Sequence, residues 1–167
     1  DYFQIDAAKV EQNTLVVSLN QTGFSLFSYP YRLLEPPLTV DAVAVPLASV
    51  ADLALMKLIA INQRGSCKDF IDLKTIVENK GFALDDLLPR LFRKYPLGEK
   101  LVFQSKKSLV YFDDAEKDLN ISIYHEGSGA FAALDQETWL ATKKFFLEYV
   151  AKGQLLGRER RGESEMT

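Results

Sequence analysis

The stretch that decides the fold is residues 49–73, which read SVADLALMKLIAINQRGSCKDFIDL. Ser49 and, three residues later, Asp52 form the side-chain pattern that satisfies free backbone N–H groups at the start of a helix. Nearly all of the residues that follow are apolar, as in a helix that is buried on every side. Glycine adopts the left-handed cap conformation without strain, so Gly65 is expected to end this helix. Ser66 then begins a second helix.

One charged residue, Lys57, lies in the middle of the apolar run. An unpaired ammonium group in a dry interior costs several kcal/mol, so Lys57 must meet a carboxylate, reach a cleft or bind an anion. Arg64 follows two turns later and shares its helix face. The second helix carries Lys68, Asp69 and Asp72, which the tight corner between the helices brings close to Lys57 and Arg64.

The residues alone leave several interpretations of this corner open. In a structural one, Lys57 extends its apolar stem to the surface and Asp69 only caps the second helix. Asp72 then pairs with Arg64 or Lys68 and locks the corner, since ion networks are often structural. In a functional one, these side chains bind an anionic ligand. A hydrolase that uses Asp69 and Asp72 is a weaker alternative, because no nucleophile and base accompany them.

The composition is that of an ordinary globular protein. With 167 residues, 47% apolar and 26% charged, the chain is long enough for one domain with a core. A net charge of -3 gives no global reason to expect nucleic acid. The single cysteine, Cys67, forms no internal disulfide and favours a reducing, cytoplasmic compartment. The single histidine, His125, cannot build a histidine metal cluster. The chain has no long apolar run and begins without methionine, so we expect no membrane span and a fragment or processed product.

Strand-like patterns occupy the first part of the chain. Residues 14–19 and 24–29 are rich in β-branched and alternating apolar residues around a turn-like segment, which predicts a β-hairpin. Residues 43–47 predict a short third strand, and Pro46 places it at an edge. The predicted fold class is therefore α+β, with strands over residues 1–48. A predominantly helical portion follows over residues 49–156, and a disordered polar tail over 157–167.

Helical patterns fill most of the second part. Because a proline is tolerated only in the first turn, Pro89 is expected to divide residues 84–95 into two short helices. The expected buried side of the last helix is formed by Leu140, Phe145, Phe146 and Tyr149. The remaining predicted elements are helices 50–64, 67–79 and 101–111, a short strand at 121–124, and a final helix that Asp135 caps and that ends near residue 151.

The segment 90–107 is strongly basic. It carries lysines and arginines against a single acid, Glu99, so it is either a strip that faces phosphate or RNA, or a solvated helix face. The cations are Arg90, Arg93, Lys94, Lys100, Lys106 and Lys107.

The pattern of residues 52–73 resembles the characteristic motif of the AbiEii/AbiGii toxin family of nucleotidyltransferases. These are bacterial proteins of abortive-infection type IV toxin–antitoxin systems. Further matches occur in the order of the family. They are FSLFSYPY at 24–31, KYP at 94–96, SLVYFDDAE at 108–116 and the segment 139–149.

The resemblance implies a catalytic role for Lys57, which would meet the nucleotide phosphates, and for Asp69 as a catalytic or lysine-orienting carboxylate. It implies that Arg64, Lys68 and Asp72 support phosphate binding. In this family a Gly-Ser element holds the triphosphate and an Asp-x-Asp motif holds Mg²⁺. Both precede the part matched here, so the chain resembles the C-terminal portion, with no metal ligand of its own.

The complete protein is accordingly expected to use a nucleoside triphosphate and Mg²⁺ and to modify an RNA or protein acceptor. An antitoxin is the expected protein partner. The segment alone is expected to be inactive. The rival interpretation is a non-catalytic interaction module, which binds an antitoxin or forms a homo-oligomer through unpaired strand edges.

Overall fold

A computed structural model describes residues 5–20, 22–41, 43–96, 99–125 and 127–164. Short antiparallel strands precede the helices, so the predicted α+β class is confirmed. The chain forms two compact units, residues 1–32 and residues 33–167. Residues 33–48 therefore group with the helices, whereas the sequence placed them with the strand segment.

The first unit is a three-stranded antiparallel sheet with the order β1 (Ile5–Glu11), β2 (Thr14–Leu19) and β3 (Thr22–Phe27). The predicted hairpin is confirmed as β2 and β3, although β3 begins and ends two residues earlier than expected. Strand β1 was not predicted. Asn13 makes the tight turn into β2 with a φ of 63°, a left-handed conformation that asparagine tolerates better than most residues.

The second unit begins with a two-stranded antiparallel sheet of β4 (Leu38–Val40) and β5 (Val43–Leu47). The sequence predicted β5 and missed β4. The segment before β4 is tied to the helices through Asp52, whose carboxylate accepts hydrogen bonds from the backbone N–H groups of Leu34 (3.1 Å) and Glu35 (3.2 Å). These bonds explain why the boundary between the units lies before residue 33.

The two central helices, α1 (Val50–Gln63) and α2 (Cys67–Lys80), form as predicted. The Ser49 hydroxyl accepts a hydrogen bond from the Asp52 backbone N–H at 3.1 Å and caps α1. Gly65 turns the chain between the helices with a φ of 56°, in the left-handed region that favours glycine. The corner that the sequence indicated is therefore present.

The next helix, α3 (Leu84–Lys94), is continuous, so the expected break at Pro89 is wrong. Its leucines are buried both before and after the proline, and this packing holds the two halves on one axis. Pro89 and Asp85 are both exposed. The Asp85 carbonyl, which would have bonded the missing N–H, lies on a solvent-facing turn where water can satisfy it.

The rest of the second unit comprises α4 (Glu99–Ser108), a short 3₁₀ turn (Ala115–Lys117), a hairpin of β6 (Ser122–His125) and β7 (Ala130–Ala133), and α5 (Gln136–Ser164). Asp135 caps α5 as predicted, because its Oδ1 atom accepts a hydrogen bond from the Thr138 N–H at 2.7 Å. Strand β6 was predicted, and β7 was not.

The structure of α5 differs from the sequence-based expectation in its length and at one position of its buried face. The helix continues to Ser164, so residues 157–164 are helical, since they are dominated by helix-forming glutamate and arginine and contain no proline; residues 165–167 lie outside the described part. Of the four residues predicted for the buried face, Phe146 is buried and Phe145 and Tyr149 are half-buried, but Leu140 is 51% exposed and Trp139 is buried instead.

The described core lies entirely within the second unit. Phe70 of α2 is at its centre, with ring centroids 5.3 Å from Phe112, 6.1 Å from Trp139 and 5.5 Å from Phe146. These contacts join α2 to α5 and to the segment after α4. Because aromatic rings bury large areas, they fix the orientation of α2 and of the charged residues on its other face.

Candidate functional site

Asp69 is the centre of the candidate site. Its side chain is completely buried at the start of α2. It accepts a hydrogen bond from Lys57 Nζ on Oδ1 at 3.2 Å, and two from Arg64, through Nε at 2.9 Å and Nη2 at 3.1 Å. A bidentate arginine–carboxylate pair fixes both groups in orientation. One buried carboxylate therefore holds two cations, one within α1 and one at its C-terminal cap.

Lys57 contacts a second carboxylate as well. Its Nζ atom lies 2.5 Å from Asp72 Oδ2, and the two side chains are 29% and 49% exposed. Burial alone would lower the pKa of Lys57, but the hydrogen bond and charge of Asp72 and the charge of Asp69 outweigh it and raise the pKa above its ordinary value. Lys57 is thus a fixed cation that remains partly accessible to solvent.

Arg64 is the more exposed cation of the pair. Its side chain is 67% exposed, and the hydrogen bond to Asp69 raises its pKa. The bonds to Asp69 use Nε and Nη2, which leaves the Nη1 amino group outside this bidentate pair. A guanidinium held in this way can present its remaining N–H groups to a phosphate.

The structure brings four of the five predicted site residues into direct contact, namely Lys57, Arg64, Asp69 and Asp72. Asp72 pairs with Lys57, whereas the structural interpretation paired it with Arg64 or Lys68. Lys68 is exposed, and within the described ranges it forms no ion pair. It instead lines, together with Asp72, an adjacent cleft of about 580 Å³ between α2 and the β6–β7 hairpin.

The sequence did not predict a second ion pair, which joins Lys94 of α3 to Asp52 of α1. Lys94 and Asp52 are both buried, and the Lys94 ammonium donates to Asp52 Oδ1. The sequence assigned Lys94 to a basic strip, but the strip does not form as a single surface, because Lys94 lies inside. Burial alone would raise the pKa of Asp52, and the hydrogen bonds from Lys94, Leu34 and Glu35 outweigh it and lower that pKa.

The described residues do not fit a metal ion. Across 5–20, 22–41, 43–96, 99–125 and 127–164, no three histidine, cysteine, aspartate or glutamate side chains are grouped so that they could hold one. Asp69 and Asp72 already face Lys57, which would compete with a cation for their oxygens. The corner is suited to an anion, since its two cations are fixed and partly exposed.

Comparisons with known proteins agree with the sequence motif. The family model described as nucleotidyl transferase AbiEii toxin, type IV TA system, matches residues 4–151. An uncharacterized protein of Aquifex aeolicus (strain VF5), aq_aa25, is 38% identical over 108 residues, which are 65% of this chain and 52% of that protein. The chain thus spans about half the length of this relative. No solved structure matches.

Among the residues that the structure describes, none of the helices combines the length and the apolar character needed to cross a bilayer.

Proposed function

Since the chain belongs to the family of AbiEii nucleotidyl transferase toxins of type IV toxin–antitoxin systems, we propose that its α1–α2 corner binds the phosphates of a nucleoside triphosphate. The complete protein would then transfer a nucleotide to an RNA or protein acceptor. This chain would supply the C-terminal portion of that active site. The supporting observation is the buried Asp69 carboxylate, which holds two partly exposed cations in fixed positions.

Lys57 and Arg64 are the residues that would touch the phosphates. Phosphoryl transfer depends on fixed positive charge at the triphosphate more than on covalent chemistry from the protein. A lysine and an arginine anchored on one carboxylate are such charges, and little reorganisation is needed when charge develops on the phosphate oxygens. Lys57 is therefore the proposed catalytic residue.

The two aspartates have different proposed roles. Asp69 is buried and saturated by its partners, so it is a positioning residue that orients Lys57 and Arg64. The side chain of Asp72 is 49% exposed and shares Lys57. Asp72 would release Lys57 when phosphate arrives and would lie at the edge of the bound nucleotide. Lys68, which has no ion pair in the described chain, would add positive charge there.

The proposal for the complete protein also includes a metal ion, a protein partner and a compartment. Its Mg²⁺ would be held by residues outside the described part of this chain, so the segment alone would not transfer nucleotides. An antitoxin is the proposed partner, and the cytoplasm is the proposed compartment.

The test is the variant Lys57→Met in the full-length protein, which keeps the side-chain length and removes the charge. We expect transfer activity to fall at least about 100-fold and the affinity for the triphosphate about 10-fold, because a preorganised charge is lost. The measurements are nucleotide transfer with the native acceptor and titration calorimetry with the triphosphate.

Lys143→Met is the matched control. Lys143 has a similar exposure (25%) and its own ion pair with Glu116 at 2.6 Å, but it lies on α5. We expect this variant to keep activity and affinity. Retention of both by Lys57→Met would refute the assignment of the site.

A second candidate function is a non-catalytic interaction module, and the sheet of the first unit favours it. Large apolar side chains are exposed there, including Val10 (78%), Leu26 (62%) and Phe27 (57%). Exposed apolar patches often mark protein interfaces. In this case the sheet would bind an antitoxin or a second copy of the chain. Full-length protein that binds a partner through these residues but never binds a triphosphate would establish this alternative.

A further inference from the structure

The cleft beside the corner carries features that phosphate binding does not use. It has a volume of about 580 Å³, within the range of small-molecule sites, and lies between α2, the β6–β7 hairpin and Thr138 of α5. Its wall combines exposed aromatic rings, a lysine, a carboxylate and a histidine. Asp72 lines the cleft and also contacts Lys57 at 2.5 Å, so the cleft lies next to the proposed phosphate site and shares this carboxylate with it.

We propose, on the basis of the function proposed above, that this cleft binds the nucleoside part of a nucleotide, with its base against Tyr124 and Phe131 and its phosphates toward Lys68 and Lys57. The ligand class is an unpaired nucleoside 5′-phosphate. It could come from the triphosphate co-substrate or from the end of a single-stranded RNA.

The aromatic pair is the first support. Tyr124 and Phe131 are directly opposite in the β6–β7 register, with ring centroids 5.5 Å apart and planes at 64°. The two residues are 55% and 73% exposed. In an edge-to-face pair one ring covers part of the other, and the remaining exposed ring surface is open to solvent. Every nucleobase has a π-face, so an open aromatic ring binds bases without requiring a particular sequence.

The charge of Lys68 is the second support. Lys68 lines the same cleft, is exposed and forms no ion pair within the described residues, so its ammonium group can meet a phosphate without displacing a partner. His125 also lines the cleft, but its Nε2 atom is buried, so it is not placed to meet a ligand there.

The test is the variant Tyr124→Ala in the full-length protein, titrated with a nucleoside triphosphate, with inorganic triphosphate and with a short single-stranded RNA. We expect affinity for the nucleoside triphosphate to fall roughly 5- to 150-fold, the range that one stacked base provides. Affinity for inorganic triphosphate should not change, because it has no base. Tyr124→Phe keeps the ring and should bind as the wild type does.

Tyr111→Ala is the matched control, because Tyr111 is equally exposed (53%) and lies outside the cleft. We expect it to change none of the three affinities. A loss confined to the RNA would support the cleft and identify the acceptor as the source of the base. A loss confined to the triphosphate would identify the co-substrate.

The outcomes separate this inference from the proposed function. If Tyr124→Ala binds all three ligands as the wild type does while Lys57→Met loses both triphosphates, the base site is wrong and the phosphate site stands. If the wild type binds neither triphosphate, both proposals fail. If Tyr124→Ala and Tyr111→Ala weaken binding equally, the effect is not specific to the cleft and the inference is overturned.

Discussion

At the scale of single residues, the two ion pairs of the second unit differ in what they are exposed to. Lys94 and Asp52 are both buried with no exposed side-chain surface, and the Asp52 carboxylate is further bonded to two backbone N–H groups. Lys57 has the same charge but is 29% exposed, and its partner Asp72 lines a cleft. The first pair is therefore structural, and the second is accessible enough to exchange a partner for the phosphate of the proposed function.

We expect Lys94→Met to lower the free energy of unfolding by about 3–5 kcal/mol, because it leaves the buried Asp52 charge without its main partner. Urea denaturation followed by circular dichroism measures this change. The double variant Asp52→Asn/Lys94→Met should recover part of the loss, since no buried charge then remains.

Lys144→Met is the control for this prediction. Lys144 is 76% exposed and only approaches Glu148 at 3.8 Å. Its removal should change the stability by no more than about 0.5 kcal/mol. Equal effects of Lys94→Met and Lys144→Met would show that the buried pair contributes nothing specific.

The sequence predicted one of these pairs and not the other for a physical reason. Lys57, Arg64, Asp69 and Asp72 lie on two consecutive helices, so helical periodicity and a single glycine turn are enough to bring them together. Asp52 and Lys94 are distant in the chain, and each has a plausible local explanation, as a helix cap and as a surface cation. Only the packing of α3 against α1 brings them into contact, and no local pattern records that packing.

At the scale of elements, α3 is a continuous helix although its sequence contains a proline, a residue that normally breaks a helix interior. Pro89 lies in its interior and removes one backbone hydrogen bond, yet the buried leucines on both sides keep the helix continuous. We expect Pro89→Ala to raise the free energy of unfolding by about 1–3 kcal/mol, because it restores the hydrogen bond and the helical propensity. Thermal and urea unfolding provide the measurement.

Pro37→Ala is the control, because it replaces a proline outside any helix. Pro37 lies in the exposed segment before β4, where proline mainly restricts the unfolded chain. Its replacement should lower the stability slightly, by up to about 1 kcal/mol. Stabilisation by Pro37→Ala as large as that by Pro89→Ala would contradict the explanation based on the helix interior.

The elements that the sequence missed are those whose stability comes from a neighbour. β4 and β7 are only three and four residues long, and each is defined by pairing with a strand that the sequence did predict. β1 contains few β-branched residues, and its pairing with β2 depends on the turn at Asn13. Amphipathic helices and tight hairpins carry their own signal, whereas short edge strands do not.

At the scale of the whole molecule, the two units are unequal. Every buried apolar side chain of the described residues lies between Ala51 and Phe146, in the second unit. The sheet of the first unit instead exposes large apolar side chains. A unit that contains its own core and its own hydrogen-bonded boundary should fold without the other. The site at Lys57 should therefore be a property of residues 33–167 alone.

This expectation can be tested with two fragments that differ only in where they begin. A fragment of residues 33–167 keeps Leu34 and Glu35, whose N–H groups bond the buried Asp52 carboxylate. It should show helical circular dichroism and unfold cooperatively.

A fragment of residues 49–167, which starts at the boundary that the sequence indicated, loses those donors and the β4–β5 sheet. Since hydrogen bonds to a charged group contribute about 1.5–3 kcal/mol each, it should be less stable by at least about 2 kcal/mol. Equal stability of the two fragments would show that the segment before α1 is not part of the unit, and failure of both to fold would show that the second unit requires the first.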